Sequence, residues 1–342
     1  MRIAVCLPQV PFARGGAEIL AERLVEELQA RDHEATLVTV PFKWYPGTRA
    51  LSQAFLWRML DLQEVDGRPI DRVIATKFPS YVVRHPHKIV WLVHQLRQAY
   101  DLDRTELGQF GQRPFDRATR RAVHRLDRLA LGEARRVFAI SRNVADRLER
   151  YLGMQAEVLV PPPQNLAYRC DEYGDFILSV GRLDRAKRVD LLLEALAGDE
   201  TAKAVVVGDG PDRERLERLA KSHGLDGRVR FTGHVDGAAL ADLYAGCLGV
   251  YYAPIDEDFG LVPYEAFLAE KPVVTTVDAG GPTEIVVDRE SGLVCSPSAS
   301  AVREAVSWLA AHRDEAQRWG RHGKSLAEQV TWNAAIERLL GS

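Results

Sequence analysis

The sequence predicts an α/β protein built as two domains, and three observations carry this. The chain has 342 residues, more than one hydrophobic core ordinarily supports. Short, continuous apolar runs such as Ile3–Leu7, Phe176–Val180 and Ala204–Val207 have the character of strands buried on both faces of a parallel sheet. In each half such a run enters a glycine-containing loop and then a helix-like segment, the arrangement by which α/β folds hold phosphate. The composition, 46% hydrophobic and 27% charged, is that of a soluble globular protein. A net charge of −3 supplies no basic field, so nucleic acid is not expected as a partner. Cys6, Cys170, Cys247 and Cys295 form no CxxC pair. Cys6 and Cys247 read as buried thiols, which fits a reducing cytoplasm. The apolar run at the N-terminus is too short for a signal peptide, and no run reaches the roughly 18 apolar residues of a membrane span.

In the first half, Ile3–Leu7 is a strand. The loop from Pro8 to Gly16 leads to an amphipathic helix over Ala17–Ala30. This loop lacks the G-x-G-x-x-G fingerprint. Gly15–Gly16 serves equally as a turn pair or as a point where backbone approaches a ligand at the positive end of a helix. Ala35–Val40 is the second strand. Phe42 to Leu60 gathers Lys43, Trp44, Tyr45, Arg49, Phe55, Trp57 and Arg58. It is expected to pack an apolar helix face on the domain, in preference to meeting an amphipathic acceptor or an anionic membrane surface. Asp71–Thr76 and His87–Val93 are the next strands. His94 stands at the carboxyl end of the latter, where open α/β sheets bind ligands. His85 and His87, split by Pro86, are loop residues with no third metal ligand in register. Arg97–Arg136 is an arginine-rich helical segment whose simplest reading is a solvated charged face. Arg136–Ser141 is a strand and Asn143–Tyr151 a helix, and Pro161–Pro163 stiffens a linker.

In the second half, Phe176–Val180 runs into Gly181–Arg188 and a helix over Val189–Leu196. Ala204–Val207 meets Gly208-Asp209-Gly210-Pro211-Asp212-Arg213, half of a dinucleotide fingerprint. Arg213 stands where the third glycine belongs, so no nicotinamide cofactor is expected. Val229–Val235 is a strand and turn, followed by a helix carrying Leu240. Leu248–Tyr252 is a strand. Asp278–Ile285 is a glycine turn leading to a helix start, and Ser291–Cys295 is the last strand. Helices follow over Ala299–His312, Arg313–Leu326 and Trp332–Leu340.

The central stretch is Glu257-Asp258-Phe259-Gly260-Leu261-Val262-Pro263-Tyr264-Glu265, with two glutamates eight residues apart. A strand precedes it and a helix follows. Glu257 is then on a loop and Glu265 in or near the first helical turn. Such a loop aims several N–H groups at one spot, which suits a phosphate or a set of sugar hydroxyls. Glu265 alone serves equally well as a complement to the helix dipole.

Followed by Glu270-Lys271-Pro272-Val273-Val274, this pattern resembles the signature of the retaining family 4 (group 1) glycosyltransferases, and the resemblance extends over nearly the whole chain. It implies the α/β GT-B architecture, two facing Rossmann-like domains with a cleft between them. The domains are then an acceptor domain over 1–165, a donor domain over 166–325, and a terminal helix over 326–342 crossing back to the first. The implied reaction is transfer of a hexose from a UDP- or GDP-sugar to an acceptor hydroxyl with retention of anomeric configuration. The implied acceptor is a carbohydrate or a lipid-linked precursor in polysaccharide or glycolipid synthesis. Neither a cofactor nor an obligate protein partner is implied. The expected location is the cytoplasm, with peripheral contact at the inner face of the membrane as an option.

The resemblance also assigns residues. Arg182 and Lys187 would neutralise the diphosphate, whose charge grows as the glycosidic bond breaks; arginine grips phosphate bidentately and lysine acts as a point charge. Glu265 would accept ribose hydroxyls, since a carboxylate is an acceptor only. Glu257 would accept sugar hydroxyls, helped by the N–H groups of Phe259, Gly260 and Leu261. Gly15-Gly16-Ala17-Glu18 matches the family's loop facing the donor phosphates, so Gly15 and Gly16 would face them, and His94 would position sugar or acceptor. Gly208 would shape the nucleotide pocket, with the base held near His234 and Val235 and packed on Leu240, for which core packing is an equal reading. Two Asp-x-Asp triplets, Asp101–Asp103 and Asp256–Asp258, are of the kind that holds a metal in another glycosyltransferase fold; here the two cations make a metal unnecessary. Two alternatives compete: a nucleotide-sugar epimerase on a similar scaffold, and a non-catalytic sugar-nucleotide-binding protein.

Overall fold

The computed structural model describes residues 1–12, 15–43, 45–103, 105, 108–111, 113–163 and 166–341. Trp44 of the aromatic segment lies outside them. The chain divides into two compact units, Met1–Pro161 with Trp332–Ser342, and Pro162–Thr331.

The first unit contains β1 (Arg2–Gln9), α1 (Gly16–Gln29), β2 (Glu34–Pro41), α2 (Ala50–Met59), a hairpin of β3 (Glu64–Val65) and β4 (Arg68–Pro69), β5 (Arg72–Lys77), β6 (Lys88–His94), α3 (Pro114–Gly132), β7 (Arg136–Ala139), α4 (Arg142–Leu152) and β8 (Glu157–Val158). Its main sheet has the order β2-β1-β5-β6-β7-β8, with every neighbour parallel. Ile3 to Leu7 are all at most 2% exposed, as a strand covered on both faces requires. The order of connection reverses between β1 and β5. Helix α4 starts where the Ser141 hydroxyl accepts the Val144 N–H at 3.0 Å and stops at Gly153, in the left-handed region at φ +66°, a cap and a stop of ordinary kind.

Two segments differ from the sequence reading. Within Phe42–Leu60 the helix is limited to Ala50–Met59, after a 3₁₀ turn over Gly47–Arg49. It buries Ala50, Ala54 and Trp57 but exposes Phe55, Leu56 and Met59, at 61, 51 and 68%. Packing therefore accounts for one side of this helix and leaves the other apolar and outward. In Arg97–Arg136 the long helix begins only at Pro114, after a 3₁₀ turn at Arg97–Ala99; proline suits a first helical turn, where its missing N–H costs nothing.

The second unit contains β9 (Phe176–Val180), α5 (Val189–Ala197), β10 (Lys203–Val207), α6 (Arg213–Ser222), β11 (Val229–Gly233), α7 (Gly237–Gly246), β12 (Gly249–Tyr251), α8 (Val262–Leu268), β13 (Val273–Thr276), β14 (Gly292–Cys295), α9 (Ala299–Ala311) and α10 (Arg313–Ala327). The sheet order is β11-β10-β9-β12-β13-β14, all parallel. This is the doubly wound nucleotide-binding order, and it reverses between β9 and β12. Leu192, Leu193, Val206, Leu309 and Trp319 lie in its core. Where a helix start was expected over Asp278–Ile285, there is a single 3₁₀ turn, Gly281–Glu284.

Helix α11 (Trp332–Leu340) belongs to the first unit. The Trp332 ring meets Trp91 edge-on at 6.2 Å. Arg338 donates to Glu157 at 2.7 Å and to the Val158 carbonyl at 3.0 Å, and Leu339 is fully buried. Replacing Leu339 by Ala is expected to destabilise this unit by about 2–5 kcal/mol, the range for a large-to-small core change. Replacing the exposed Glu337 by Ala should stay within about 0.5 kcal/mol. Urea unfolding of the two variants beside the parent measures the difference.

Candidate active site

In an open parallel sheet, the loops leaving the strands on either side of the reversal diverge and leave a crevice at the carboxyl ends. In the second unit these are the loops after β9 and β12, and they bring Lys187 and Glu257 together. The Lys187 ammonium donates to the Glu257 carboxylate and to the Tyr252 hydroxyl at 3.1 Å. Burial alone would lower the lysine pKa; the Tyr252 hydroxyl and the Glu257 carboxylate reverse this and hold it above the ordinary lysine range. Lys187 is thus a fixed cation at neutral pH. Its backbone is set by Asp184, whose carboxylate accepts the Lys187 N–H at 3.2 Å.

Arg188 fastens this loop to the sheet. Its guanidinium donates to the carbonyls of Ala253 (2.8 Å) and Pro254 (2.9 Å), to the Thr276 hydroxyl (2.7 Å) and to both oxygens of Asp278 (2.8 and 2.9 Å). The ends of β12 and β13 are therefore tied to the loop that presents Lys187. The Glu257 loop is pinned in turn: the Glu257 N–H donates to the Ala279 carbonyl and the Gly281 N–H to the Glu257 carbonyl, each at 2.8 Å. Gly260 sits at φ +82°, and a Cβ there would lie 2.6 Å from the Tyr252 ring. Only glycine satisfies both constraints. Phe259 and Tyr264 stack beside it at 5.0 Å.

Glu265, in the first turn of α8, is buried. The Tyr244 hydroxyl donates to its carboxylate at 2.9 Å. The Tyr168 hydroxyl is buried near enough to affect it but makes no well-formed hydrogen bond. Burial pushes the Glu265 carboxyl above the usual carboxylate range, and the hydroxyls of Tyr244 and Tyr168 draw it only part of the way back. Tyr252 feels the charge of both Glu257 and Glu265.

The remaining predicted residues are spread along the same edge. Arg182 follows β9 with its side chain 66% exposed and its Nε 3.9 Å from Asp184, apart from the Lys187–Glu257 contact. A cavity of about 10 Å³ lined by Gly181, Arg182, Lys187 and Tyr252 adjoins them. Gly208 follows β10 at φ +123°, where a Cβ would lie 2.0 Å from the Gly181 carbonyl. His234, exposed, and Val235, half-buried, follow β11, and Leu240 is half-buried in the first turn of α7. An open hollow of about 580 Å³ runs along β11 and α7 and includes Phe231, Val235, Ala239 and Leu243. It shares no residue with the Lys187 cavity; the smaller one borders the Lys187–Glu257 pair at the strand-order reversal and is the better candidate for chemistry.

The first unit repeats the placement at its own reversal. Gly15 and Gly16 follow β1, and Gly16 opens α1. His94 ends β6 half-buried, with Nδ1 2.7 Å from the Gln95 carbonyl. Of the aspartate triplets, Asp101 pairs with Arg97 and Arg147, and Asp103 with Arg120. Among the described residues, no group of three His, Cys, Asp or Glu side chains is placed to hold a metal.

Sequence reasoning missed Arg188, Tyr252, Tyr244, Tyr168 and Lys77, and it gave no sign that Glu18 of the Gly-Gly-Ala-Glu run pairs with Lys77. Lys77 and Tyr252 were accessible by the strand-end argument applied to His94. Nothing separates Arg188 from Arg182 and Arg185 in sequence.

Residues 168–326 match the sequence model of the glycosyl transferases group 1, and residues 14–163 match that of glycosyltransferase family 4. An uncharacterized glycosyltransferase of Methanocaldococcus jannaschii is 24% identical over 333 residues, 84% of this chain and 83% of that one. A GDP-mannose-dependent alpha-mannosyltransferase of Mycolicibacterium smegmatis is 33% identical over 165 residues, 47% of this chain. This chain spans only 41% of that relative's length. Among solved structures, Anabaena HepE in complex with UDP-glucose superposes with a TM-score of 0.74 at 17% identity, over 98% of each chain. With one family match through each half, the chain belongs to the family 4, group 1 glycosyltransferases and has their GT-B fold of two Rossmann-like domains.

Proposed function

We propose that this glycosyltransferase moves a hexose from a UDP- or GDP-sugar to an acceptor hydroxyl with retention and without a metal. The observation that carries the reading is the Lys187–Glu257–Tyr252 cluster at the β9/β12 reversal. Lys187 and Glu257 neutralise each other there. Donor binding exchanges that pair for two others: Lys187 with the diphosphate, and Glu257 with sugar hydroxyls. Arg182, exposed, swings onto the diphosphate as a second cation. As the bond from the anomeric carbon to the phosphate oxygen breaks, charge builds on the phosphate, where a fixed cation stabilises the transition state more than the ground state. The acceptor oxygen bonds to that carbon on the same face, and its proton passes to the departing phosphate.

Glu265 takes the ribose hydroxyls, its desolvated carboxylate gaining acceptor strength from burial. Gly208, His234, Val235 and Leu240 frame the nucleotide, and the N–H groups of Phe259, Gly260 and Leu261 face the sugar. In the first unit Gly15, Gly16 and His94 serve phosphate and acceptor. The choice of UDP or GDP draws support from both sides: the HepE neighbour holds UDP-glucose, and the Mycolicibacterium relative is named for GDP-mannose.

The acceptor we propose is lipid-linked, met at an anionic membrane surface. Phe55, Leu56 and Met59 turn outward on α2, whose Arg58 pairs with Glu133 at the end of α3 at 2.5 Å. On α3, Arg117, Arg121, Arg125 and Arg128 are exposed. An exposed apolar helix face, with exposed arginines on another helix of the same unit, suits insertion among anionic headgroups. Among the described residues, no helix is long and apolar enough to cross a membrane.

Three outcomes test the transfer reaction. Lys187→Ala and Glu257→Ala should each lower kcat/KM by about 10²–10³-fold, the scale for losing one preorganised electrostatic contact. Transfer should continue in EDTA and yield product of the donor's anomeric configuration, read by NMR; a strict need for manganese would refute the metal-free reaction. Glu265→Gln should lower donor affinity while raising the melting temperature at pH 7. The folded carboxyl has a raised pKa, so the charged form costs stability at neutral pH, and this cost disappears as pH falls through the folded pKa. The gain in melting temperature should therefore close on acidification. For the membrane surface, vesicles containing about one third phosphatidylglycerol should bind the protein, and Phe55→Ser/Leu56→Ser/Met59→Ser should abolish binding without loss of transfer to a soluble acceptor. Equal binding of parent and variant would dismiss the surface.

A further inference from the structure

Helix α1 and strand β5 of the first unit are joined by a buried ion pair that none of the roles above uses. The Lys77 ammonium donates to Oε1 of Glu18 at 2.6 Å, and the two side chains are only 10 and 9% exposed. The second carboxylate oxygen of Glu18 accepts the Gly15 N–H at 2.9 Å. Glu18 thereby links Lys77, at the carboxyl end of β5, to the glycine pair that opens α1. Lys77 is itself held in place. The Ser80 hydroxyl accepts the N–H groups of Thr76 and Lys77 at 3.2 and 3.4 Å and donates to the Lys77 carbonyl at 2.8 Å. In the sheet Lys77 is the register partner of His94, and the Phe78 N–H donates to the His94 carbonyl at 3.3 Å.

This chain of contacts runs from β6 through β5 and the ion pair to Gly15, across the reversal between β1 and β5. Burial favours the neutral acid at Glu18, but the charge and hydrogen bond of Lys77 and the Gly15 N–H outweigh it and hold the carboxyl below its usual range. Glu18 is therefore a carboxylate at neutral pH. A buried ion pair is a poor source of net stability, because desolvation consumes most of its attraction and apolar or neutral replacements often stabilise. What it supplies is geometry.

We infer that Lys77 and Glu18 are positioning residues of the transfer reaction, fixing the Gly15–Gly16 backbone relative to the His94 strand end so that the loop meets its ligand preorganised. This rests on the reading that Gly15 and Gly16 serve the donor phosphates. Gly16 allows that reading to be tested separately: a Cβ there meets nothing within 4 Å, so Gly16→Ala removes close backbone approach without a steric clash in the fold.

The test compares Gly16→Ala with Lys77→Met/Glu18→Gln. In the double variant no charge is left unpaired, and the amide oxygen introduced by Glu18→Gln still reaches the Gly15 N–H. Melting temperature, kcat/KM for the UDP- or GDP-sugar that the parent uses, and hydrogen exchange over residues 15–19 are measured. Gly16→Ala should keep the parent's melting temperature and lose at least tenfold in kcat/KM. The double variant should melt within a few degrees of the parent, lose at least tenfold in kcat/KM, and exchange at least tenfold faster over residues 15–19 while β1 stays protected. Parent-like exchange and turnover in the double variant overturn the inference. Parent-like turnover in Gly16→Ala overturns the glycine-loop reading on which it rests, whatever the double variant does. Should the double variant fail to fold, Ser80→Ala loosens the same clasp without touching charge. It should speed exchange over residues 15–19 several-fold and lower kcat/KM, and no change in either overturns the inference.

Discussion

The reversal of strand order between β9 and β12 is the constraint on which the candidate site depends. All six strands of that sheet run parallel, so every strand delivers its loop to the same edge. At the reversal two neighbouring loops diverge, and polar side chains gather without one helix covering them both. Arg188 turns this into a rigid arrangement by fixing the β9 loop to the ends of β12 and β13. A planar guanidinium with several donors spans carbonyls, hydroxyl and carboxylate at once, which a lysine cannot do. Lys187 is thus presented on a loop anchored to the sheet.

Two buried glutamates show how environment, not residue type, sets charge. Glu18 and Glu265 are 7 and 5% exposed, yet their carboxyl pKa values are displaced in opposite directions. Glu18 has an ammonium in contact, and attraction exceeds desolvation. Glu265 has only tyrosine hydroxyls, and desolvation wins. The first is therefore a settled ion pair. The second is a carboxyl whose charged form burial penalises.

Much of the fold was legible because parallel sheets announce themselves. Buried strands such as Ile3–Leu7 and Ala204–Val207 are continuous apolar runs, and each is closed by glycine or proline. The Glu257–Glu265 stretch was legible as a strand–loop–helix for the same reason. The gaps share a cause in tertiary contact. Phe55, Leu56 and Met59 look like core residues in sequence, because an apolar helix with two apolar sides gives no sign of which side is covered. Lys187 and Glu257 are 70 residues apart, and Lys77 and Glu18 are 59 apart; composition and periodicity carry no information on such pairings. Arg182 illustrates the converse. It belongs to the same loop as Lys187, yet it stands exposed beside Asp184, a difference decided by rotamer and neighbours.

Both units thus place a lysine–glutamate pair at the point where strand order reverses, but they differ in burial. Lys187 and Glu257 keep 21 and 24% of their side-chain surface exposed, whereas Lys77 and Glu18 keep about half as much. A partly exposed pair exchanges partners at modest cost, because water and ligand compensate each charge as it leaves the other. A pair sealed from water has no such compensation, and separating it leaves two uncompensated charges in the interior. The two pairs are therefore suited to the different roles proposed for them: the first to open on a ligand, the second to stay shut and hold a backbone in place.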